Sequence, residues 1–380
     1  MENGTIYFSQ ALNCYVAQYH EPSGKRKTLK QRKNEKVGEF KSRFNKIITD
    51  INQGSYIEKS FDTCLSIIKN YVEQKHDDGI TSDRTYIRDL GTINQLEACC
   101  NNWINKPIQK VSAFDIEQSK KLIREYANNT IDKIWRFINV IFKIGISRRK
   151  IIYNPMDDET LAKPISKKAN KQVEALTQEE ESKLLEVLSK SPNKQYNNII
   201  LLQLYTGARI GEILALSKDC INLKNNSITI YRTITRDKND KAILGQHTKT
   251  YCKKTGLDKG RRCFPMQPKV RKLIEEILAN KITNMHNLLF WDYSKNRIIT
   301  DGMINSYLSR INKISPNESI TGALSTHRLR HTFITRCQEK NLSLAVIQSL
   351  VGHVQGSTIT NDTYTSVSLN FIQQELEKMI

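Results

Sequence analysis

The sequence predicts a multi-domain, mainly α protein with small β elements. Three observations carry that reading. Apolar residues recur at helical spacing over 56–153 and over much of 176–380. Short runs rich in aromatic and β-branched residues lie near the start, at 6–19, and again within 227–266. Between the two helical regions, residues 154–175 hold two prolines and no apolar period, which marks an interdomain linker. A chain of 380 residues agrees with two or three domains, each able to bury a core.

In chain order, 6–16 and 15–19 read as short strands. Glu21-Pro22-Ser23-Gly24 is a turn, and the basic run Lys25–Lys33 follows as strand or loop. A helix over about 35–52 carries Val37, Phe40, Phe44, Ile47 and Ile48. Residues 1–55 are thus a small sheet with one helix, holding ten Lys/Arg against five Asp/Glu. From 56 to 153 the chain reads as all helical, with segments 57–75, 81–103, 113–126 and 130–149. Ser112, Asn129 and Thr130 are the expected N-caps. In the linker, Lys163, Lys167, Lys168 and Lys171 could follow a phosphate backbone or be solvated.

Beyond 176, Thr177-x-x-Glu180 forms a capping box for a helix through Leu188. Helices follow at 197–204 and 209–216. Strands are expected at Ser227–Ile234, 245–252 and 261–266, the last two flanking a Lys/Gly-rich hairpin. Helices at 268–280, 301–314, 326–339, 343–350 and 369–379 complete a mixed, mostly α domain over 176–380.

Charge narrows the partner. With 59 Lys+Arg against 39 Asp+Glu the net charge is +20, and the pI is near 9.5. That balance points to a polyanion: nucleic acid first, an anionic membrane surface second. Met1–Val16 lacks the pattern of a secretory signal, and no uncharged run reaches the length of a spanning helix. No membrane partner is expected. The eight cysteines form no C-x-x-C pair, so a zinc ribbon is unsupported and reduced thiols in a cytoplasm are expected. Cys252 and Cys263 could meet across a hairpin, but two thiols are the favoured reading.

Four segments carry candidate chemistry. Tyr205-Thr206-Gly207-Ala208-Arg209-Ile210-Gly211-Glu212 sets an arginine between glycines at a helix start, where a guanidinium can join free N–H groups in holding phosphate. In Thr326-His327-Arg328-Leu329-Arg330-His331-Thr332-Phe333, His327, Arg330 and His331 share one helix face, while Leu329 and Phe333 face the core. A histidine beside an arginine suits a phosphoryl centre, one managing protons and the other charge. A metal site on His327 and His331 lacks the glutamate of H-E-x-x-H, and the arginine would repel a cation. The third segment is Leu350-Val351-Gly352-His353. The fourth, Thr360-Asn361-Asp362-Thr363-Tyr364-Thr365, offers a tyrosine that becomes a nucleophile where positive charge favours the phenolate.

Taken in order, Arg209, His327-x-x-Arg330, His353 and Tyr364 resemble the tyrosine recombinase (phage integrase) family. T-G-A-R-I-G-E is similar to its first arginine box, H-R-L-R-H-T-F to its second, and G-H followed by T-x-x-Y-T to its nucleophile segment. In layout the chain is similar to three-domain integrases of conjugative transposons and phages. That likeness implies a three-stranded arm-type DNA-binding domain at 1–55, a helical core-binding domain at 56–153, a linker at 154–175 and a catalytic domain at 176–380.

The resemblance implies roles as well. Arg209 and Arg330 hold the non-bridging oxygens of the scissile phosphate. Tyr364 attacks phosphorus, leaving a 3′-phosphotyrosyl link and a free 5′-hydroxyl. His327 and His353 handle the tyrosine proton and bind phosphate oxygens, and Glu212 supports the site. The family's hairpin lysine, which protonates the leaving 5′-oxygen, corresponds to Lys249. This hairpin is longer than usual and offers two Lys-Thr pairs; Thr248-Lys249-Thr250 followed by R-x-F-P at 262–265 is the closer match, so Lys254 is the second choice. Lys25, Arg26, Lys27, Lys30 and Arg32 lie on the implied arm-binding surface.

Implied partners are double-stranded DNA at core and arm attachment sites, and three further copies of the chain in a homotetramer acting through a Holliday junction. A small accessory excision factor and a host DNA-bending protein complete the set. A bacterial, nucleoid-associated location goes with them. The tail Leu369–Ile380 carries Phe371, Ile372, Leu376, Met379 and Ile380 at helical spacing, and either docks on a neighbouring protomer, as in the family, or packs on its own domain.

The expected function is therefore DNA integration and recombination by a site-specific enzyme of a mobile element. No cofactor and no metal are expected: no Asp/Glu cluster suited to Mg²⁺ accompanies the motifs, and no G-x-x-x-x-G-K-[ST] is present. The alternatives are a type IB topoisomerase-like enzyme and a non-catalytic sequence-specific DNA-binding protein. An RNA-binding protein lacks support, since no RNP1-like pattern occurs.

Overall fold

The computed structural model describes residues 4–169, 174–237, 239–252, 255–314, 320, 322–352 and 368–379. The chain divides into two compact units, Met1–Asn170 and Lys171–Ile380.

The first unit opens with an antiparallel sheet of β1 (Gly4–Ser9), β2 (Cys14–His20) and β3 (Arg26–Lys30), in that spatial order. Val16 pairs with Tyr7 on one side and Lys30 on the other. Gly24 closes the second hairpin in left-handed backbone, at φ 82°. Helix α1 (Val37–Asn52) lays Phe40 and Phe44 against Ala17 and Tyr19, which form a small core. Strand alternation then sorts the basic residues. Arg26 and Lys30 are exposed, while Lys27 shares the face of Leu29, which packs towards that core.

A helical bundle follows: α2 (Cys64–Asp77), α3 (Asp83–Cys99), α4 (Ala113–Ile123) and α5 (Asn128–Ser147). Thr63, Ser82 and Ser112 cap the first three through their side chains. The α2 start lies beyond the expected 57 because Thr63 is the cap. Asn129 and Thr130 are not caps: α5 begins at Asn128 after Ala127. Ile68, Ile93, Leu96, Ile134, Ile138 and Phe142 fill the core. Trp103 completes it, its indole N–H donating to Ser119 Oγ at 2.9 Å.

The start of the expected linker belongs to this unit. Leu161 is buried in the bundle core, and Ser166 Oγ donates to the Tyr126 carbonyl at 2.6 Å. Lys163 pairs with Asp132 at 2.6 Å and Lys167 pairs with Glu125. These two lysines neutralise carboxylates of their own unit.

The second unit begins with α6 (Gln178–Lys190), opened by the expected Thr177–Glu180 capping box. Then come α7 (Lys194–Thr206), α8 (Ile210–Leu214), β4 (Ile221–Asn222), β5 (Ser227–Ile230), β6 (Ile234–Arg236), β7 (Ala242–Leu244) and β8 (Arg262–Pro265). The last helices are α9 (Pro268–Ala279), α10 (Asp301–Ile314), α11 (Thr326–Glu339), α12 (Leu344–Val351) and α13 (Leu369–Glu377). β4, β5 and β8 form one antiparallel sheet, and β6 and β7 a separate hairpin.

The expected strand at 245–252 is absent. Asp258 gathers the Thr248 N–H at 2.8 Å, the Thr248 hydroxyl and the Gly260 N–H at 3.1 Å, which closes a loop in place of a ladder. Helix α11 packs along α7, burying Leu329 and Phe333 with Ile200 and Leu204. Helix α13 buries Ile372 and Leu376 in the same core, so the tail packs on its own unit. Gln267 Nε2 donates to the Leu376 carbonyl at 3.0 Å. Among the described residues no helix is long and apolar enough to cross a membrane, and no disulfide joins two cysteines.

Candidate active site

The first arginine box is a helix end followed at once by a helix start. Gly207 closes α7 with φ 61°, its N–H donating to the Gln203 carbonyl at 2.9 Å. A Cβ there would run into the Phe333 ring. Only glycine lets α7 and α11 approach this closely while the chain reverses. The turn delivers Arg209 to the N-cap of α8. Glu212 accepts the Arg209 N–H at 3.0 Å and its Nη1 at 3.1 Å.

The second box supplies Arg330, which is 5% exposed. Its Nη1 donates to the Gly207 carbonyl at 2.6 Å and its Nη2 to the Val351 carbonyl at 2.7 Å. Arg330 therefore points inward, while His327 on the same helix is exposed. Burial, and next the charge of Arg209, lower the Arg330 pKa to about 9. It stays cationic at neutral pH beside a second cation. An anion between the two guanidiniums would relieve that repulsion.

Three arginines converge on the end of α12. Arg262 Nε donates to the Leu350 carbonyl at 2.7 Å, Arg330 to Val351, and Arg209 Nη2 to Gly352 at 3.0 Å. The last carbonyls of a helix lack intrahelical donors and carry partial negative charge, so a helix C-terminus is where such cations settle. Gly352 directly precedes His353 in sequence. His353, Tyr364 and Lys254 lie outside the described residues.

Glu212 sits beneath these groups with a fully buried side chain, its second partner Arg262 Nη2 at 2.7 Å. Burial would raise its carboxyl pKa, but Arg262 and then Arg209 hold it below the ordinary value. His327 Nε2 lies 3.1 Å from His331 Nε2. Partial burial, then His331, Arg330 and Lys249, lower the His327 pKa below 6.5. Lys249 is exposed on the loop that Asp258 organises, and the stacked rings of His247 and Tyr251, 3.7 Å apart, flank it. Arg209, Glu212, Arg330, His327 and Lys249, separate in sequence, thus gather in one place. Among the described residues no group of three His, Cys, Asp or Glu could hold a metal ion.

The family model described as "Phage integrase family" matches residues 174–370, more than half the chain and the whole of this site. The chain belongs to the phage integrase family. The integrase is 25% identical to the transposase of transposon Tn916 from Enterococcus faecalis, over 96% of its own length and 86% of the relative's. It is 31% identical to the integrase of Staphylococcus phage L54a over 57% of its length and 63% of that protein's. Among solved structures it is similar to the Tn1549 transposon integrase in complex with circular intermediate DNA. There the TM-score is 0.64 and the identity 21%, covering 84% of this chain and 99% of that one. A lambda integrase tetramer bound to a Holliday junction matches with TM-score 0.56 and 17% identity, over 93% and 96% of the two chains. These likenesses are of fold, a multi-domain, mainly α architecture with small antiparallel sheets.

One residue of the site had no role in the sequence reading. Arg262 opens β8 as part of R-x-F-P, yet its side chain is only 6% exposed and touches Glu212 and Leu350, on two distant segments, besides its near neighbour Gly260. Its sequence signal is its place in R-x-F-P, the pattern that selects Lys249 over Lys254. Lys25, Arg26, Lys27, Lys30 and Arg32 belong to the first unit, where Lys27 pairs with Glu21 at 3.5 Å and the other four are exposed.

Proposed function

We propose that this integrase is the site-specific recombinase of a mobile element, cleaving and rejoining DNA through a 3′-phosphotyrosyl intermediate and so integrating and excising that element. The observation that carries the reading is the pair of guanidiniums, Arg209 and Arg330, fixed on the backbone of one helix terminus beside the Lys249 loop. Two cations held by carbonyls need no reorganisation when charge builds on a phosphate, which is the largest single source of catalysis in such sites.

The step balances without an external reactant. The Tyr364 oxygen bonds to phosphorus as the bond to the 5′-oxygen breaks. The phenolic proton passes to His353 or His327, and Lys249 supplies a proton to the departing 5′-oxygen. A lowered pKa keeps His327 neutral at pH 7, able to accept. Bond energy is stored in the phosphotyrosyl link, so attack by another strand's 5′-hydroxyl reverses the step without a cofactor. Arg209 and Arg330 hold the non-bridging oxygens, and Glu212 holds Arg209.

Residues 1–55 bind arm sites through Lys25, Arg26, Lys30 and Arg32, with Lys27 more weakly engaged. Residues 56–153 clamp the core duplex, 154–175 connect, and 176–380 carry the chemistry. The solved relatives include a DNA complex and a tetramer on a Holliday junction. A tetramer on double-stranded DNA is the assembly proposed here, with a small excision factor and a host DNA-bending protein setting direction.

The test is a nicked suicide duplex bearing the attachment core site. The wild-type chain gives a covalent adduct on a denaturing gel, and Tyr364→Phe gives none. No adduct on a duplex that the protein demonstrably binds would overturn the reading.

A further inference from the structure

We propose that Arg262 is a positioning residue that locks the Lys249 loop to the Arg209 turn and to the segment leading into His353. The proposal rests on the reading of Lys249 as the proton donor.

The guanidinium of Arg262 reaches in three directions, one for each segment. Nη2 meets Glu212, which holds Arg209. Nε meets the Leu350 carbonyl at the end of α12. Nη1 donates to the Gly260 carbonyl at 3.0 Å. Gly260 in turn is tied by its N–H to Asp258, the same carboxylate that takes the N–H and hydroxyl of Thr248, and Thr248 precedes Lys249. A path of hydrogen bonds through two side chains, Asp258 and Arg262, therefore joins Thr248, the residue before Lys249, to Glu212.

Two glycines show how tightly this path is packed. A Cβ on Gly260 would overlap the Thr248 side chain. One on Gly352 would lie 2.7 Å from Arg262 Nη1, where left-handed backbone already favours glycine. Only a planar fork with fixed donors can serve three acceptors at once, and a lysine at 262 would reach fewer of them. Without Arg262 the carbonyls of Gly260 and Leu350 lose this donor and the loop is freed from Glu212. The protein would still bind DNA, and Arg209 and Arg330 would keep their own carbonyl partners. The loss falls on the placement of Lys249.

Protonation of the leaving group can be bypassed chemically. Replacing the bridging 5′-oxygen at the cleavage site with sulfur gives a leaving group that departs as a thiolate and needs no proton. Cleavage of oxygen and sulfur suicide duplexes is measured for the full-length wild type, Lys249→Ala, Arg262→Ala and Arg262→Lys, with DNA binding and thermal melting recorded for each. Lys249→Ala should lose about 1000-fold on oxygen and recover on sulfur, in the range of a lost general acid. Arg262→Ala should lose roughly 100-fold on oxygen, recover most of it on sulfur and bind DNA as wild type does. Arg262→Lys should show the same recovery from a smaller loss, and it carries the comparison if the alanine variant melts early.

Failure of Lys249→Ala to recover on sulfur removes the reading of Lys249 and this proposal with it. Recovery of Lys249→Ala, with both Arg262 variants equally impaired on the two substrates or cleaving oxygen within about threefold of wild type, overturns the proposal alone.

Discussion

Arg330 Nη1 donates to the carbonyl of Gly207 across 2.6 Å, so the second arginine box is anchored on the turn that presents the first. The turn exists because Gly207 adopts φ 61° and has no Cβ to meet Phe333. Gly207→Ala should therefore cost at least about 1–2 kcal/mol from backbone strain alone, and more from the clash with the ring. A denaturation midpoint equal to wild type in urea would refute this.

Arg330→Ala should separate chemistry from binding. Removing a fixed donor to the developing charge lowers cleavage by roughly 100- to 1000-fold. It also leaves the Gly207 and Val351 carbonyls short of a donor, at about 1–3 kcal/mol each if water does not replace it. Binding, spread over many other phosphates, should fall only modestly. Gel shifts that drop in step with covalent adduct would contradict that separation.

Glu212 links stability to acid. Its folded pKa lies below its ordinary value of 4.5, because Arg262 and Arg209 outweigh burial. The stabilisation it brings is complete above the unfolded value and is lost as pH falls through the folded one. Glu212→Gln should flatten the stability curve below about pH 4.3. Glu212→Ala should cost about 3–5 kcal/mol at neutral pH, since it strips a buried charge partner from Arg262. Equal acid dependence in wild type and Glu212→Gln would show that other carboxylates dominate.

What could be read in the sequence, and what could not, follows from the range of each interaction. The helix start at Arg209 was legible because Gly207, Arg209 and the first turn of α8 stand side by side, and the helix that carries Arg330 was legible because Leu329 and Phe333 fall on its core face. The capping box at Thr177 and the cap at Ser112 were legible for the same reason. Arg262 was not, since Glu212 and Leu350 lie 50 and 88 residues away and meet it only when α8, β8 and α12 pack. The strand expected at 245–252 failed where Asp258, at a distance of ten residues, outcompetes a ladder for the Thr248 N–H. The start of the linker was misjudged because one apolar side chain, Leu161, and a few polar bonds hold it, leaving no period to detect.

On the proposed mechanism, the pair His327–His331 should set the acid limb of the cleavage profile. Both imidazoles cannot easily be cationic at 3.1 Å, and after burial the charge of His331 does most to lower the His327 pKa. Cleavage should fall as pH drops through that lowered value, where His327 takes a proton and can no longer accept one. His331→Ala removes one opposing charge, so the limb should move to higher pH, with little change in rate on the plateau. A limb that stays in place would assign the titration to another group.

The proposed arm-binding role of the N-terminal sheet gives a prediction in salt. Arg26 and Lys30 stand on its exposed face, where Arg26 also donates to Gln18 and Gln18 Nε2 donates to Tyr7 at 2.9 Å. Lys27 is turned towards Leu29 and pairs with Glu21. Removing one cation that neutralises a phosphate should reduce the slope of log affinity against log salt by roughly 1. The double variant Arg26→Ala with Lys30→Ala should therefore lose roughly 2 on attachment DNA that includes arm sites. Lys27→Ala should lose much less, because a lysine already neutralising a carboxylate releases fewer counterions on binding. On a duplex holding only the core site, all three proteins should give the wild-type slope. An equal loss for Lys27→Ala on arm DNA would mean that the Glu21 pair opens on binding, and that the alternation of β3 does not decide which lysines meet phosphate.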